Sequence, residues 1–294
     1  MSSSLIASAL VSGLVNGALY ALLGLAVILI FRTTAVANFA QGEVGMLSAF
    51  AFLMFILPVG LPFWAAWLAT LAFGALCGAA TYLVLLRVRP AAGHLNLTVR
   101  TLGLYTLVYA AAVYWWGEGE PYRVPSLFGP TAVSLAGFNV SQDQLGTMGV
   151  ALVLAAVFLL FFRFTRVGLA MRAVAINADV AALQGVDVRR VVLLAWMVAC
   201  ALSAAVALLV APTSFLGTDL MRPYLLKAFT AAILGGMYSF PGVLVGGVIL
   251  GLSESLAAMA LSIHFRETFV FVVLLLVLLL RPAGIFGSVQ RVRV

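Results

Sequence analysis

Charge is what this 294-residue chain has least of. Only 9% of its residues are Asp, Glu, Lys or Arg, while 65% are hydrophobic, against about 25% and 45–50% in soluble domains. Mean hydropathy is +1.20. Too little polar surface exists to cover such a chain in water, so a water-soluble globule is excluded and lipid must be its solvent. Cysteine is nearly absent too: Cys77 and Cys200 each lie in an apolar run without paired spacing, which excludes a disulfide framework and reads as buried small hydrophobes. The two histidines, His94 and His264, sit near loops without a neighbouring acid cluster, so no metal site is expected. Lys227 is the only lysine and follows Leu225-Leu226, which excludes a phosphate-binding Gly-x-x-x-x-Gly-Lys loop. Any ATP must then be bound by another subunit. A Gly-x-Ser-x-Gly elbow is also missing, and an enzyme is not expected. The net charge of +7 comes from arginines at the ends of apolar runs, which report topology and not a nucleic-acid partner.

What is there is a series of apolar runs of helical length: 5–31, 39–57, 62–86, 101–116, 144–162, 191–211, 224–235, 242–261 and 267–280. The first could be mistaken for a secretory signal because Ala35-Val36-Ala37 mimics a cleavage site. No Lys or Arg precedes it, and Leu5 to Phe31 is too long for a signal core, so it reads as a retained span. The series predicts an all-α polytopic membrane helix bundle forming a single transmembrane domain over 1–294, with eight or nine spans. The count turns on 224–261, where a run of about 12 residues meets Gly235-Gly236 and then Pro241-Gly242. A helix that short cannot cross a core about 30 Å thick, so a broken or re-entrant segment is expected there. Gly13/Gly17, Gly74/Gly78, Gly242/Gly246 and Gly247/Gly251 have the spacing that lets helix backbones approach closely in lipid. If nine spans alternate, Arg32, Arg87, Arg89, Arg100, Arg163, Arg166, Arg172, Arg189, Arg190, Arg281, Arg291 and Arg293 fall on one side. The excess of arginine marks that side as cytoplasmic, placing the N-terminus outside and the C-terminus inside.

Polar residues within the spans are the candidates for a transport path, since an unpaired charge at membrane depth costs about 2.5–3.5 kcal/mol. Glu43 follows Asn38 and Gln41 at the start of the second run, with Asn38 as the expected N-cap. Two readings stand: an acid held by the helix dipole at the interface, or an acid lining the path or tying helices together. Asn16 and Tyr20 share a face at i, i+4 spacing. Glu254 is the most deeply placed acid, with a structural partner and a water-filled cavity both open.

The polar stretch 163–190 lies between two spans. It divides at Asn177-Ala178-Asp179, predicting a helix over Gly168 to Ile176 and a second capped by Asp179 and ended by Gly185. Leu169, Ala173, Ile176, Val180 and Leu183 form one apolar face, with Arg172 and Asp179 on the other. A helix on the lipid surface is one account. The small residues Ala178 to Ala182 favour docking into a protein groove.

Four segments in order resemble the shorter permease type of branched-chain amino acid ABC transporters: Asn38-Phe39-Ala40-Gln41-Gly42-Glu43, Gly168 to Ala175 continuing to Ala181-Ala182-Leu183-Gln184-Gly185-Val186, the Gly-rich break from Gly235 to Gly242, and the tail Leu280-Arg281-Pro282-Ala283-Gly284-Ile285-Phe286-Gly287. The resemblance implies an inner-membrane subunit forming half of a path for leucine, isoleucine and valine. Its implied partners are a second homologous permease, two cytoplasmic ATPases that use ATP and Mg, and an external binding protein. It makes 163–190 the ATPase-coupling loop, with Arg172, Asn177, Asp179, Ala181, Ala182 and Gly185 as contacts, and it makes Gly235, Gly236, Pro241 and Gly242 a helix break. Path or gate candidates are Asn16, Tyr20, Asn38, Gln41, Glu43 and Glu254. Similar permeases carry urea, short amides or other amino acids. A stand-alone secondary transporter or channel using Glu43 or Glu254 is the different-class alternative. This chain departs from the family pattern at Gln41, where His is frequent, and at Val180-Ala181-Ala182, where Glu-Ala-Ala is frequent.

Overall fold

A computed structural model describes residues 3–87, 94–117, 121–129, 131–135, 138–260, 265–281 and 284–287. Its elements are α1 (Ser3–Thr34), α2 (Gln41–Ile56), α3 (Phe63–Tyr82) continued by a wider π-type turn at Leu83–Arg87, α4 (His94–Trp116), β1 (Ala132–Leu135), β2 (Phe138–Ser141), α5 (Gln142–Phe164), α6 (Arg166–Ile176), α7 (Ala178–Leu183), α8 (Val188–Ser214), α9 (Arg222–Gly235), α10 (Phe240–Ala260) and α11 (Phe265–Leu280). Each of the nine expected apolar runs holds a helix. The short antiparallel hairpin β1–β2, with Ala132 opposite Ser141, was not signalled by any alternation of apolar and polar residues.

Only six of the described helices are long and apolar enough to cross a membrane: Leu5–Thr34, Phe63–Leu86, Leu95–Trp116, Gln142–Phe164, Val188–Ser214 and Phe240–Ala260. The 16 residues of α2 and the 14 of α9 give about 24 and 21 Å of helix at 1.5 Å per residue, short of a core about 30 Å thick. Each therefore covers part of the depth, and irregular chain must supply the rest. Such chain precedes both: residues 35–40 before α2 and 215–221 before α9.

The chain forms two compact units. Unit 1 comprises Met1–Ile28, Ser126–Ala155 and Leu226–Val294. In it α1 lies against α10 through the expected small residues. A Cβ on Gly17 would stand 2.9 Å from the Gly247 carbonyl oxygen, and one on Gly13 would stand 3.0 Å from that of Gly251. Helices in lipid gain nothing from hiding apolar surface from water, so this backbone proximity, with its dispersion contacts, holds the pair. Ser255 Oγ adds a hydrogen bond of 2.7 Å to the Ala9 carbonyl.

Unit 2 comprises Leu29–Pro125 and Ala156–Leu225. Here α8 is the central element, packed by α3 and α2. Gly78 faces the Trp196 carbonyl, Gly74 faces Ala204, and Gly45 faces the Ser203 carbonyl, where a Cβ would lie at 2.9 Å. Gln41 Nε2 donates to Ser203 Oγ at 3.0 Å. Ser203 is the sixteenth of the 27 residues of α8, so α2 begins near the middle of that helix. Its Phe50 stacks on Trp116 at the end of α4, centroids 4.4 Å apart.

Candidate functional site

Three groups of sequence candidates gather around named elements. The first surrounds the start of α2. Thr101 Oγ1 donates to the Ala37 carbonyl at 3.1 Å and accepts from the Phe39 amide at 3.2 Å, tying the extended segment to α4. Asn38, Gln41 and Glu43 are buried, Glu43 with 2% of its surface exposed. The expected cap is corrected: Ala40 occupies the N-cap position in right-handed helical geometry without a side-chain bond to the helix. Asn38 Oδ1 instead accepts from the Ala40 amide at 3.1 Å, because the chain turns before the helix begins. Asn38 Nδ2 and Glu43 Oε2 are buried without a hydrogen-bond partner. The charges acting on Glu43 are those of Arg222 and Asp219. Both stand in the sequence just before the short run 224–235 and are not among the path candidates named there. Their signal was the Arg-Pro pair directly before a run too short to span.

The second group is in unit 1. Glu254, with no exposed surface, accepts from Lys227 Nζ and Arg266 Nε, each at 2.6 Å and both on one oxygen. Lys227 also lies 5.6 Å from the centroid of the Tyr20 ring, and Tyr20 is itself buried. Asn16, one turn earlier, is half-buried. An acid between two cations has its charge compensated inside the bundle, which is the structural partner left open at Glu254.

The third is the hairpin of α6 and α7. Thr165 Oγ1 accepts from the Gly168 amide at 2.9 Å and caps α6. Asn177 Oδ1 accepts from the Val180 amide at 3.0 Å, so Asn177 and not Asp179 caps α7. Asp179 falls in the first turn, where its charge still suits the dipole. Gly185 has φ of +83°, the left-handed terminator expected of it. Gly168, Met171, Val174 and Ala181 are buried, and α6 packs on α8. Arg172 Nη2 donates to the Arg163 carbonyl at 3.1 Å. Of the expected apolar face, Leu169, Val180, Ile176 and Leu183 are exposed, the last two by 84% and 85%. Ala182, Asn177 and Asp179 are exposed beside them. A cavity of about 620 Å³ lies elsewhere in unit 2, among Thr33, Tyr82, Leu86, Arg189 and Leu193, away from Glu43.

The helix break and the tail motif meet. Gly236 has φ of +97° in the turn between α9 and α10, and Gly235 and Gly242 leave no space for a Cβ between them. Pro241 lies in the first turn of α10, where its missing N–H costs no helix bond. The tail then returns: the Ile285 amide donates to the Leu234 carbonyl at 2.8 Å and the Phe286 amide to the Gly235 carbonyl at 3.3 Å. Two carbonyls that the end of α9 would leave unpaired are thereby satisfied.

The family model described as "Branched-chain amino acid transport system / permease component" matches residues 9–280. The high-affinity branched-chain amino acid transport system permease protein LivH of Escherichia coli (strain K12) is 30% identical, over 94% of this chain and 94% of that protein. BraD of Pseudomonas aeruginosa, named as the same kind of permease, is 29% identical over 95% of this chain and 94% of its own length. The probable branched-chain amino acid transport permease LivH of Methanocaldococcus jannaschii is 27% identical over 92% and 89%.

Proposed function

This chain belongs to the branched-chain amino acid transport permease family, and from that premise we propose that it forms half of the translocation path of an ATP-driven importer of leucine, isoleucine and valine. A second homologous permease supplies the other half. Two cytoplasmic ATPases hold ATP and Mg, and an extracytoplasmic binding protein delivers the cargo. The chain sits in the inner membrane with its N-terminus outside and its C-terminus in the cytoplasm.

The observation that carries the reading is the α6–α7 hairpin. Its Met171, Val174 and Ala181 side is fixed within unit 2, while Leu169, Ile176, Val180 and Leu183 face outward. An apolar stripe on a rigidly capped element suits insertion into a partner's groove. Closure of the ATPases would then move α6, and through its packing α8, as one body. The stand-alone transporter reading loses one of its two ion-site acids, because Glu254 is already engaged by two cations.

The test is uptake of labelled leucine by proteoliposomes holding the co-purified complex and its binding protein. Uptake should require ATP and the ATPase subunits and should persist when ion gradients are collapsed. Gradient-driven uptake by this chain alone would overturn the proposal.

A further inference from the structure

Arg222 is at an unusual depth for an exposed charge. Its guanidinium lies 4.9 Å from the Tyr109 ring centroid and 5.8 Å from that of Tyr105. These tyrosines are the sixteenth and twelfth residues of the 23-residue α4, so the cation lies at least about 10 Å of helix from either end. It is exposed on the surface of unit 2 and, among the described residues, joins no ion pair. Lipid is not a tolerable neighbour for an exposed arginine at that depth, even one held by two tyrosines. The surface carrying Arg222 must face a water-filled path.

The local backbone adds to the positive potential. Arg222 opens α9, and α9 begins against the start of α2: a Cβ on Gly42 would lie 3.2 Å from Leu225 Cδ2 and 3.5 Å from the Met221 carbonyl oxygen. Two part-depth helices thus bring their N-terminal ends together, and each end carries about half a positive charge. An arginine placed there is repelled by its own helix unless an anion joins it. The acceptors stand nearby. Asp219 is exposed three residues before Arg222, and buried Glu43 leaves Oε2 without a donor.

We infer that this junction is a transient receptor for the zwitterionic head of a free α-amino acid midway through the path. Arg222 and the two helix N-termini take the α-carboxylate, and the exposed Asp219 carboxylate takes the ammonium. The side chain of the cargo is left to the apolar surroundings, so the receptor selects the head and tolerates different aliphatic side chains. Uncharged urea or a short amide would not use it. The inference rests on the proposal that the chain is an amino acid permease.

The experiment compares Arg222→Gln, Arg222→Lys and Asp219→Asn in the reconstituted complex with labelled leucine, normalised to assembled complex. Arg222→Gln and Asp219→Asn should each lower uptake at least about tenfold, the scale of one charge-assisted hydrogen bond, and Arg222→Lys should restore a measurable part. Uptake within twofold of the wild type in Arg222→Gln overturns the receptor while leaving the transport proposal intact. Equal loss in Arg222→Gln and Arg222→Lys also overturns it, because that pattern belongs to packing of the guanidinium on its tyrosines. Should Arg222→Gln fail to assemble, the exposed and isosteric Asp219→Asn decides alone, and normal uptake there overturns the receptor. Failure of the wild-type complex to import leucine with ATP brings down the proposal and the receptor together.

Discussion

Two buried acids of this chain stand in different surroundings. Glu254 shares one carboxylate oxygen between Lys227 and Arg266. Removing it takes from Lys227, whose side chain is 11% exposed, its acid within the membrane domain, and breaking a buried ion pair from one side costs about 3–5 kcal/mol. Glu254→Ala should therefore lower the yield and thermal stability of the folded protein, measured by detergent-resistant monodispersity on heating, with transport per folded molecule a secondary loss. Glu43 joins no ion pair among the described residues, although one oxygen of each acid, Oε2, lacks a hydrogen bond. Its stabilising contribution is that of an acid in the first turn of α2, about 0.3–1 kcal/mol. Glu43→Ala should assemble normally and transport poorly. Near-normal uptake by assembled Glu43→Ala would return Glu43 to a helix-start role.

Glycines decide how close the elements stand. At Gly78 a Cβ would meet the Trp196 carbonyl at 2.5 Å and Cys200 Cβ at 2.9 Å, whereas nothing lies within 4 Å of one at Gly103. Gly78→Ala should force α3 from α8 and destabilise by about 1–3 kcal/mol, while Gly103→Ala, in the exposed stretch of α4, should be neutral. A melting-temperature comparison of the two variants checks this, and equal effects would refute the packing account. In the hairpin, Gly185 has open space around it but φ of +83°. The cost of Gly185→Val is consequently backbone strain, about 1–2 kcal/mol, and Gly185→Asn should be tolerated. Ala182 is exposed beside the apolar stripe, so Ala182→Trp should fold and insert normally yet reduce ATPase co-purification. Normal ATPase binding in Ala182→Trp and Gly185→Val would remove the hairpin from the docking role.

At the scale of the molecule the expected outcome is a sidedness. In a background lacking Cys77 and Cys200, a cysteine at exposed position 178 should react only from the cytoplasmic side and one at exposed position 126 only from outside. Labelling of 178 from outside would refute the orientation and the coupling site together. The part-depth helices α2 and α9 are compatible with this alternation. In that orientation the chain before α2 and before α9 would complete each crossing without regular structure, and irregular backbone at depth is tolerated where protein or water satisfies it. The Thr101 bonds to Ala37 and Phe39 do that for residues 35–40.

Hydropathy and local stereochemistry alone determined that this is a helical membrane protein, where nine apolar runs form helices, that Gly13/Gly17, Gly74/Gly78, Gly242/Gly246 and Gly247/Gly251 touch neighbours, and where the hairpin bends at Asn177 and stops at Gly185. Those properties depend on neighbours within a few turns, which a sequence displays directly. The choice between Asn177 and Asp179 as cap escaped it because either side chain has the chemistry. Depth escaped it for a different reason. An arginine before a short apolar run reads alike whether it ends at the water interface or halfway through the bilayer. Only the packing of Gly42 on the start of α9 and of Arg222 on Tyr105 and Tyr109 fixes which. The tail motif was legible as a motif, but not as the partner of the Leu234 and Gly235 carbonyls. Hydrogen bonds across about 50 residues are set by where the helices bring the chain, and periodicity carries no record of that.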